Sequence, residues 1–169
     1  FHSSIPVEER EYALPRDLAA QLGLRKYGFH GLSYQYVSQR TAEFLNRRVD
    51  DVKLIMCHLG TGGSSVCAFA DGHSVATSMG FSPLAGLVMS TRCGDIDAEV
   101  ALELVRHGMT ADEVSRVLNN NSGLIGLSGY SSNLAEIIAA AEAGDESCRV
   151  AFEVYASRLK HYLGAYTWL

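Results

Sequence analysis

The run KLIMCHLGTGGSSVCAFADGHSVATSM, residues 53–79, carries the clearest backbone pattern in the chain. KLIMCHL is a short apolar run, GTGGS is a glycine-rich turn and SSVCAFA alternates small residues. Asp71-Gly72 between two such runs is a strong hairpin signal, because a tight two-residue connection needs positive φ at both positions. HSVATSM then follows. The pattern predicts three consecutive strands, with at least the last two antiparallel. Three strands make a thin sheet, so further strands or helices are expected to cover it.

Upstream, residues 1–16 are polar and contain Pro6 and Pro15, an irregular lead-in with room for one short helix. Arg16–Leu22 is predicted as a brief helix stopping at Gly23. Ser33 reads as the N-cap of a helix to about Asn46, with Tyr36, Val37, Phe44 and Leu45 as apolar positions. Downstream of Gly80 the sequence GFSPLAGLVMSTRCGDID is loop-like. Ala98–His107 has helical spacing and ends at Gly108. Thr110 with Glu113 forms a capping box opening a helix to about Leu118. Asn119–Gly129 reads as a polar, glycine-rich break. Helices are predicted over 133–143 and from Glu146 to about Leu169, separated by Gly144-Asp145. The layout is a helical lead-in (1–52), a three-stranded hairpin region (53–80), and a loop followed by helices (81–169).

The chain has 169 residues, 47% hydrophobic and 20% charged, with a formal net charge of -5. It is therefore an ordinary globular sequence with enough length for a core. The interspersed acidic balance argues against a nucleic-acid partner. No apolar run approaches the ~18 residues of a membrane span. Cys57, Cys67, Cys93 and Cys148 form no CxxC pair, which points to a reducing, cytoplasmic setting rather than a disulfide framework. The first residues lack a signal-peptide layout and an initiator Met, so the natural start is expected upstream. The apolar C-terminal helix ends without a cap, so truncation is expected there too.

Three segments can carry chemistry. In GFHG, residues 28–31, flanking glycines let the backbone come close to a ligand, and a histidine with both ring nitrogens open can donate to an oxyanion. A turn histidine is the plainer reading of that spacing. In HLGTGGS, residues 58–64, glycines at a strand end let amides converge on an anion, with hydroxyls from Thr61, Ser64 and Ser65. It lacks the Gly-Lys-Ser/Thr ending of a Walker A loop; a plain hairpin turn fits equally, and His58 could be a core histidine. In STRCGDID, residues 90–97, Asp95 and Asp97 can hold Arg92 and present its planar fork to a phosphoryl group, or form a purely structural pair with it. Two acids at that spacing make a poor cation site. The cysteines and histidines of 57–93 match no zinc spacing, so no metal ligands are assigned.

Together RKYGFHG, CHLGTGGS, TSMGFSPLAGLVMSTRCGDID and SGLIGLSG resemble the acetate kinase family, in order and approximate spacing over nearly the whole chain. Propionate and butyrate kinases share much of the pattern. The resemblance implies an α/β fold of the acetate and sugar kinase/Hsp70/actin superfamily. The chain would be a partial second domain of ribonuclease H-like (actin-like ATPase) topology, with helical insertions and incomplete at both ends. It implies a reversible, ATP-dependent phosphorylation of acetate, with ATP/ADP and Mg2+, in a cytoplasmic homodimer. Carried over by position, His30 corresponds to the histidine that stabilises the transferring phosphoryl group. Arg92 corresponds to the arginine binding carboxylate and phosphoryl oxygens. His58, Gly60, Thr61 and Gly62 fall on the phosphate-side loop, and Phe29 and Pro83 on the apolar pocket around the acetate methyl.

Three departures from the family pattern stand out. Thr61 replaces the usual Asn, and the stretch between His58 and Gly80 is one residue longer than usual. Asn133-Leu134-Ala135 stands where many members have an Asp-aromatic-Arg group near the nucleotide. Since the family's other cleft groups lie outside these 169 residues, the chain alone is expected to lack turnover. A propionate kinase and a non-catalytic actin-like nucleotide-binding or interaction module are the alternatives.

Overall fold

The computed structural model describes residues 1–60 and 62–169. The chain divides into two compact units, one formed by residues 1–59, 65–83 and 161–169, the other by 60–64 and 84–160.

In the first unit, strands β1 (Leu54–Gly60), β2 (Gly63–Ala70) and β3 (His73–Thr77) lie side by side in that order. β2 and β3 pair antiparallel, with Cys67 opposite Thr77 and Ala70 opposite His73, and a register shift at Ala68/Phe69. The hairpin forms where the sequence placed it: Asp71 and Gly72 both have positive φ, 51° and 77°. β2 is the central strand and is buried throughout its length. Its small residues let neighbouring elements approach both faces.

Helices α1 (Val7–Arg10), α2 (Arg16–Leu22) and α3 (Gly31–Phe44) precede the sheet. α2 has the predicted bounds. α3 begins two residues before Ser33, because His30 takes the N-cap position with φ 62°, and its carbonyl accepts the Tyr34 amide at 3.1 Å. Ser33 therefore lies inside the helix. The core combines Tyr34 and Ala42 of α3 with Val52, Met56, Cys67 and Phe69, and Phe1 stacks on Phe69 at 5.9 Å. Burying such side chains contributes about 1.5–3 kcal/mol each.

The second unit is helical: α4 (Ala98–Arg106), α5 (Ala111–Asn120), α6 (Gly123–Ser128), α7 (Leu134–Glu142), and most of α8 (Glu146–Tyr166), whose final residues belong to the first unit. Leu124, Ile137, Cys148 and Ala151 form its core. The predicted break over 119–129 is corrected by α6. That helix escapes notice because its amides are capped by a distant loop: Leu124 N–H donates to Met89 O and Ile125 N–H to Ser90 O. Such tertiary caps leave no local sequence signal.

The capping box of α5 is complete. Thr110 Oγ1 accepts the Glu113 amide, and the Glu113 carboxylate accepts the Thr110 amide at 2.8 Å. These bonds hold the Glu113 carboxyl below its usual range. Thr110→Ala is expected to cost about 1 kcal/mol. A shift of the urea midpoint at constant m-value would measure it; an unchanged midpoint would show that the box adds nothing to α5.

Candidate active-site region

The 25–31 segment is fastened from two sides within the first unit. Tyr27 and Gly28 amides both donate to Gly80 O, at 3.1 and 3.2 Å. His2 Nε2 lies 2.8 Å from the Phe29 carbonyl and its Nδ1 2.8 Å from Ser74 Oγ. A carbonyl only accepts, so Nε2 carries the proton and the Ser74 hydroxyl donates to Nδ1. Burial depresses the His2 pKa, opposed by the bond to Phe29, so the neutral form is favoured. This anchoring holds His30 in the left-handed region, a conformation that costs a non-glycine residue about 1 kcal/mol or more.

His30 does not have two open ring nitrogens: Nδ1 lies 2.8 Å from Ser65 Oγ. Ser65 is fully buried on β2, and its Oγ also lies 2.5 Å from the Tyr34 hydroxyl. His58, at the end of β1, stacks its ring on His30 with centroids 3.9 Å apart and planes 14° off parallel. Its Nδ1 meets Ser33 Oγ at 3.1 Å. Ser33 and Tyr34 thus hold the two histidines from adjacent positions on α3. Phe29 and Pro83 are half-buried residues of the same unit.

The expected role of Ser65 as an anion donor is therefore corrected, since its hydroxyl is engaged inside the protein. Ser64 is likewise buried and donates to Gly60 O at 3.1 Å. Gly60 ends β1 and is exposed, as is Gly62. Thr61 lies outside the described residues.

Arg92 belongs to the second unit, where its Nη1 donates to Gly62 O at 3.3 Å and reaches Met89 Sδ at 4.0 Å. Asp95 and Asp97, expected to hold it, are directed elsewhere. Asp95 accepts the Gly86 amide at 2.7 Å and pairs with Arg158 at 3.5 Å. Asp97 caps α4 by accepting the Glu99 amide at 2.9 Å. Instead, the Arg92 loop is held by its backbone. Cys93 N–H donates to Leu118 O, Ser122 N–H to Thr91 O, and Met89 N–H to Arg92 O. The Thr91 hydroxyl adds a bond to Asn119 O at 2.8 Å.

This loop opens onto a cavity of about 1020 Å³ lined by Gly62, Ser90, Thr91, Arg92, Arg116 and Asn119, among others. Hydroxyls, amides and two guanidinium groups suit an anionic, oxygen-rich ligand. Sequence reading found Arg92 and Gly62 but missed Arg116 and Asn119. Both lie on α5, which the sequence marked only by its capping box and ended at about Leu118, before Asn119.

Among the described residues, no group of three or more His, Cys, Asp or Glu side chains could hold a metal ion. Asp112 adds a carboxylate to the cavity, and the other polar groups on it, hydroxyls, amides and two guanidinium groups, suit phosphate oxygens better than a metal.

The comparisons with known proteins agree with one another. The chain is 48% identical over 167 residues to the acetate kinase of Bacillus subtilis, covering 98% of this chain and 42% of that protein. The acetate kinase of Geobacillus kaustophilus matches at the same identity and coverage. The crystal structure of Porphyromonas gingivalis acetate kinase superposes with a TM-score of 0.94 at 40% identity, over 98% of this chain and 42% of that one. A propionate kinase from Francisella tularensis gives 0.93 at 36% identity, again over 98% and 42%. The α/β fold is thus the one these kinases share, and the chain spans less than half the length of its relatives. With the acetokinase family model matching residues 1–169, the chain belongs to that family.

Proposed function

We propose that these residues form part of the second domain of an acetate kinase that transfers the γ-phosphoryl group of ATP reversibly and directly to acetate. The observation that carries the reading is the 48% identity to acetate kinases across 98% of the chain, with Arg92 set on a polar, arginine-bearing cavity.

The acceptor needs no strong general base, because a carboxylate is already ionised at neutral pH. Its oxygen attacks the γ-phosphorus. A new P–O bond forms while the bond to the β,γ-bridging oxygen breaks, and ADP leaves with that electron pair. The difficulty is electrostatic, since two anions must meet and charge spreads over the equatorial oxygens. Arg92 supplies a planar, permanently charged fork for carboxylate and phosphoryl oxygens. His30 donates a hydrogen bond to the transferring group, and His58, Gly60, Thr61 and Gly62 serve the phosphate side. Phe29 and Pro83 belong to the pocket for the acyl chain. Magnesium would neutralise phosphate charge when bound with the nucleotide, held by groups other than these.

The working protein is a homodimer in the cytoplasm, in keeping with its family. No described helix is long and apolar enough to cross a membrane. A propionate kinase remains a specific second reading, supported by the similarity to the Francisella tularensis enzyme. A pocket discriminates one methylene by only about 1–3 kcal/mol, so this choice concerns pocket depth rather than mechanism.

The test is ATP-dependent acyl phosphate formation by the full-length protein, trapped with hydroxylamine, using acetate, propionate and butyrate. An acetate-led signal is the expected result, whereas a propionate-led one selects the second reading. No signal from folded protein with any acid would overturn both and leave a nucleotide-binding or interaction module.

A further inference from the structure

We infer that Tyr34 and Ser65 are positioning residues, forming a buried hydroxyl relay that fixes His30 in the tautomer with its proton on Nε2. The inference deepens the reading of His30 as a phosphoryl-facing donor, but its first readout does not depend on that reading.

Three polar atoms stand in sequence: Tyr34 OH, Ser65 Oγ at 2.5 Å, and His30 Nδ1 at a further 2.8 Å. Tyr34 is 1% exposed and Ser65 0%, so the pair is sealed between α3 and β2. Each hydroxyl has one proton to give, and the order of donation follows from the end of the chain. Among the described residues, Ser65 Oγ is the one hydrogen-bond partner of the Tyr34 hydroxyl. The buried Tyr34 proton is therefore given to Ser65 Oγ, the acceptor within its reach. Ser65, having accepted it, gives its own proton to His30 Nδ1. A neutral imidazole accepting at Nδ1 carries hydrogen on Nε2.

The reverse order fails on the same contacts. If His30 Nδ1–H donated to Ser65, and Ser65 to Tyr34, the phenol oxygen would accept from Ser65 while its own buried proton met no acceptor among the described residues. A buried donor would then be left unsatisfied, which is costly. Burial also pushes the Tyr34 phenol well above its ordinary range, with the Ser65 bond opposing the shift. The first proton of the relay is thus retained at physiological pH.

The remaining neighbours fix the ring rather than its protonation. The anchored 25–31 backbone sets the origin of the side chain, and the stacked His58 ring, 3.9 Å away, limits rotation. Ring plane, tautomer and backbone conformation are therefore each set by a different contact. A donor pre-set in this way needs no reorganisation when charge develops on the phosphoryl oxygens.

The experiment is side-chain ¹⁵N NMR on histidine-labelled full-length protein, with the His30 signals assigned by their loss in His30→Gln. The expected wild-type signature is a protonated Nε2 and an accepting Nδ1. Tyr34→Phe keeps the ring and removes one oxygen, and should give mixed tautomers. Ser65→Ala should do so through the adjacent link. An Nδ1–H signature in the wild type, or an unaltered signature in a folded Tyr34→Phe, overturns the relay. In the same Tyr34→Phe protein, kcat should fall about tenfold while KM for acetate and ATP stays within about twofold. A tautomer shift with unchanged kcat would support the relay and overturn the phosphoryl-facing role of His30.

Discussion

Arg92→Ala in the full-length enzyme should lower kcat by about 10²–10³-fold, the usual cost of removing one preorganised group that stabilises transition-state charge. The fold should survive. The side chain makes two long contacts, to Gly62 O at 3.3 Å and Met89 Sδ at 4.0 Å, and the loop around it is held by backbone bonds with Leu118 and Ser122. Its loss should therefore change stability by no more than about 0.5 kcal/mol. Arg92→Lys separates charge from shape. It keeps a cation but loses the bidentate fork, so it should recover only part of the rate. Arg116 offers an internal comparison, since it lines the same cavity from α5. Steady-state kinetics with the hydroxylamine trap and a thermal melt would together decide the matter. Near-wild-type turnover in Arg92→Ala would remove Arg92 from the mechanism, and a collapsed melt would make it a structural residue instead.

The two failures around Arg92 show what a sequence can and cannot disclose. Local rules were legible. Asp71-Gly72 makes the hairpin because the turn itself demands positive φ, and Thr110 caps α5 because its partner is three residues away. Partner choice among acids was not legible. Asp95 and Asp97 sit close to Arg92 in sequence, yet Asp97 is consumed by the first turn of α4 and Asp95 engages Gly86 and Arg158. The first of these could have been anticipated, since an Asp just before a helical run is a natural N-cap. The second could not, because Arg158 lies far along the chain, on α8.

The histidines tell a similar story. Their candidacy was visible in GFHG and HLGTGGS, but their support was not. Ser33 looked like a cap and turned out to meet His58, because the left-handed His30 had already started α3. Tyr34 was not singled out in the sequence at all. Its hydroxyl gains meaning only when β2 brings Ser65 beside it. Family resemblance supplied the roles proposed for His30 and Arg92. The contacts that support those side chains came from the fold.

Gly123→Ala should be strongly damaging to the second unit. Gly123 starts α6 with φ 64°, and a Cβ there would collide with the Met89 carbonyl oxygen and lie 2.8 Å from Arg92 O. The positive φ alone costs about 1–2 kcal/mol. Relieving the collision means moving α6 away from the loop, which stretches the Leu124–Met89 and Ile125–Ser90 bonds, worth about 1 kcal/mol each. The expected total is about 3–4 kcal/mol, with kcat falling as the loop that carries Arg92 loses its seat. Gly129→Ala is the control. It closes the same helix at φ 62°, but an added Cβ there meets nothing within 4 Å. It should therefore lose only the φ penalty and leave kcat intact. Urea titrations of the two variants would isolate the close approach as the difference between them. Equal midpoints would mean that α6 and the Arg92 loop can separate freely, and that the loop is held in place by α5 alone.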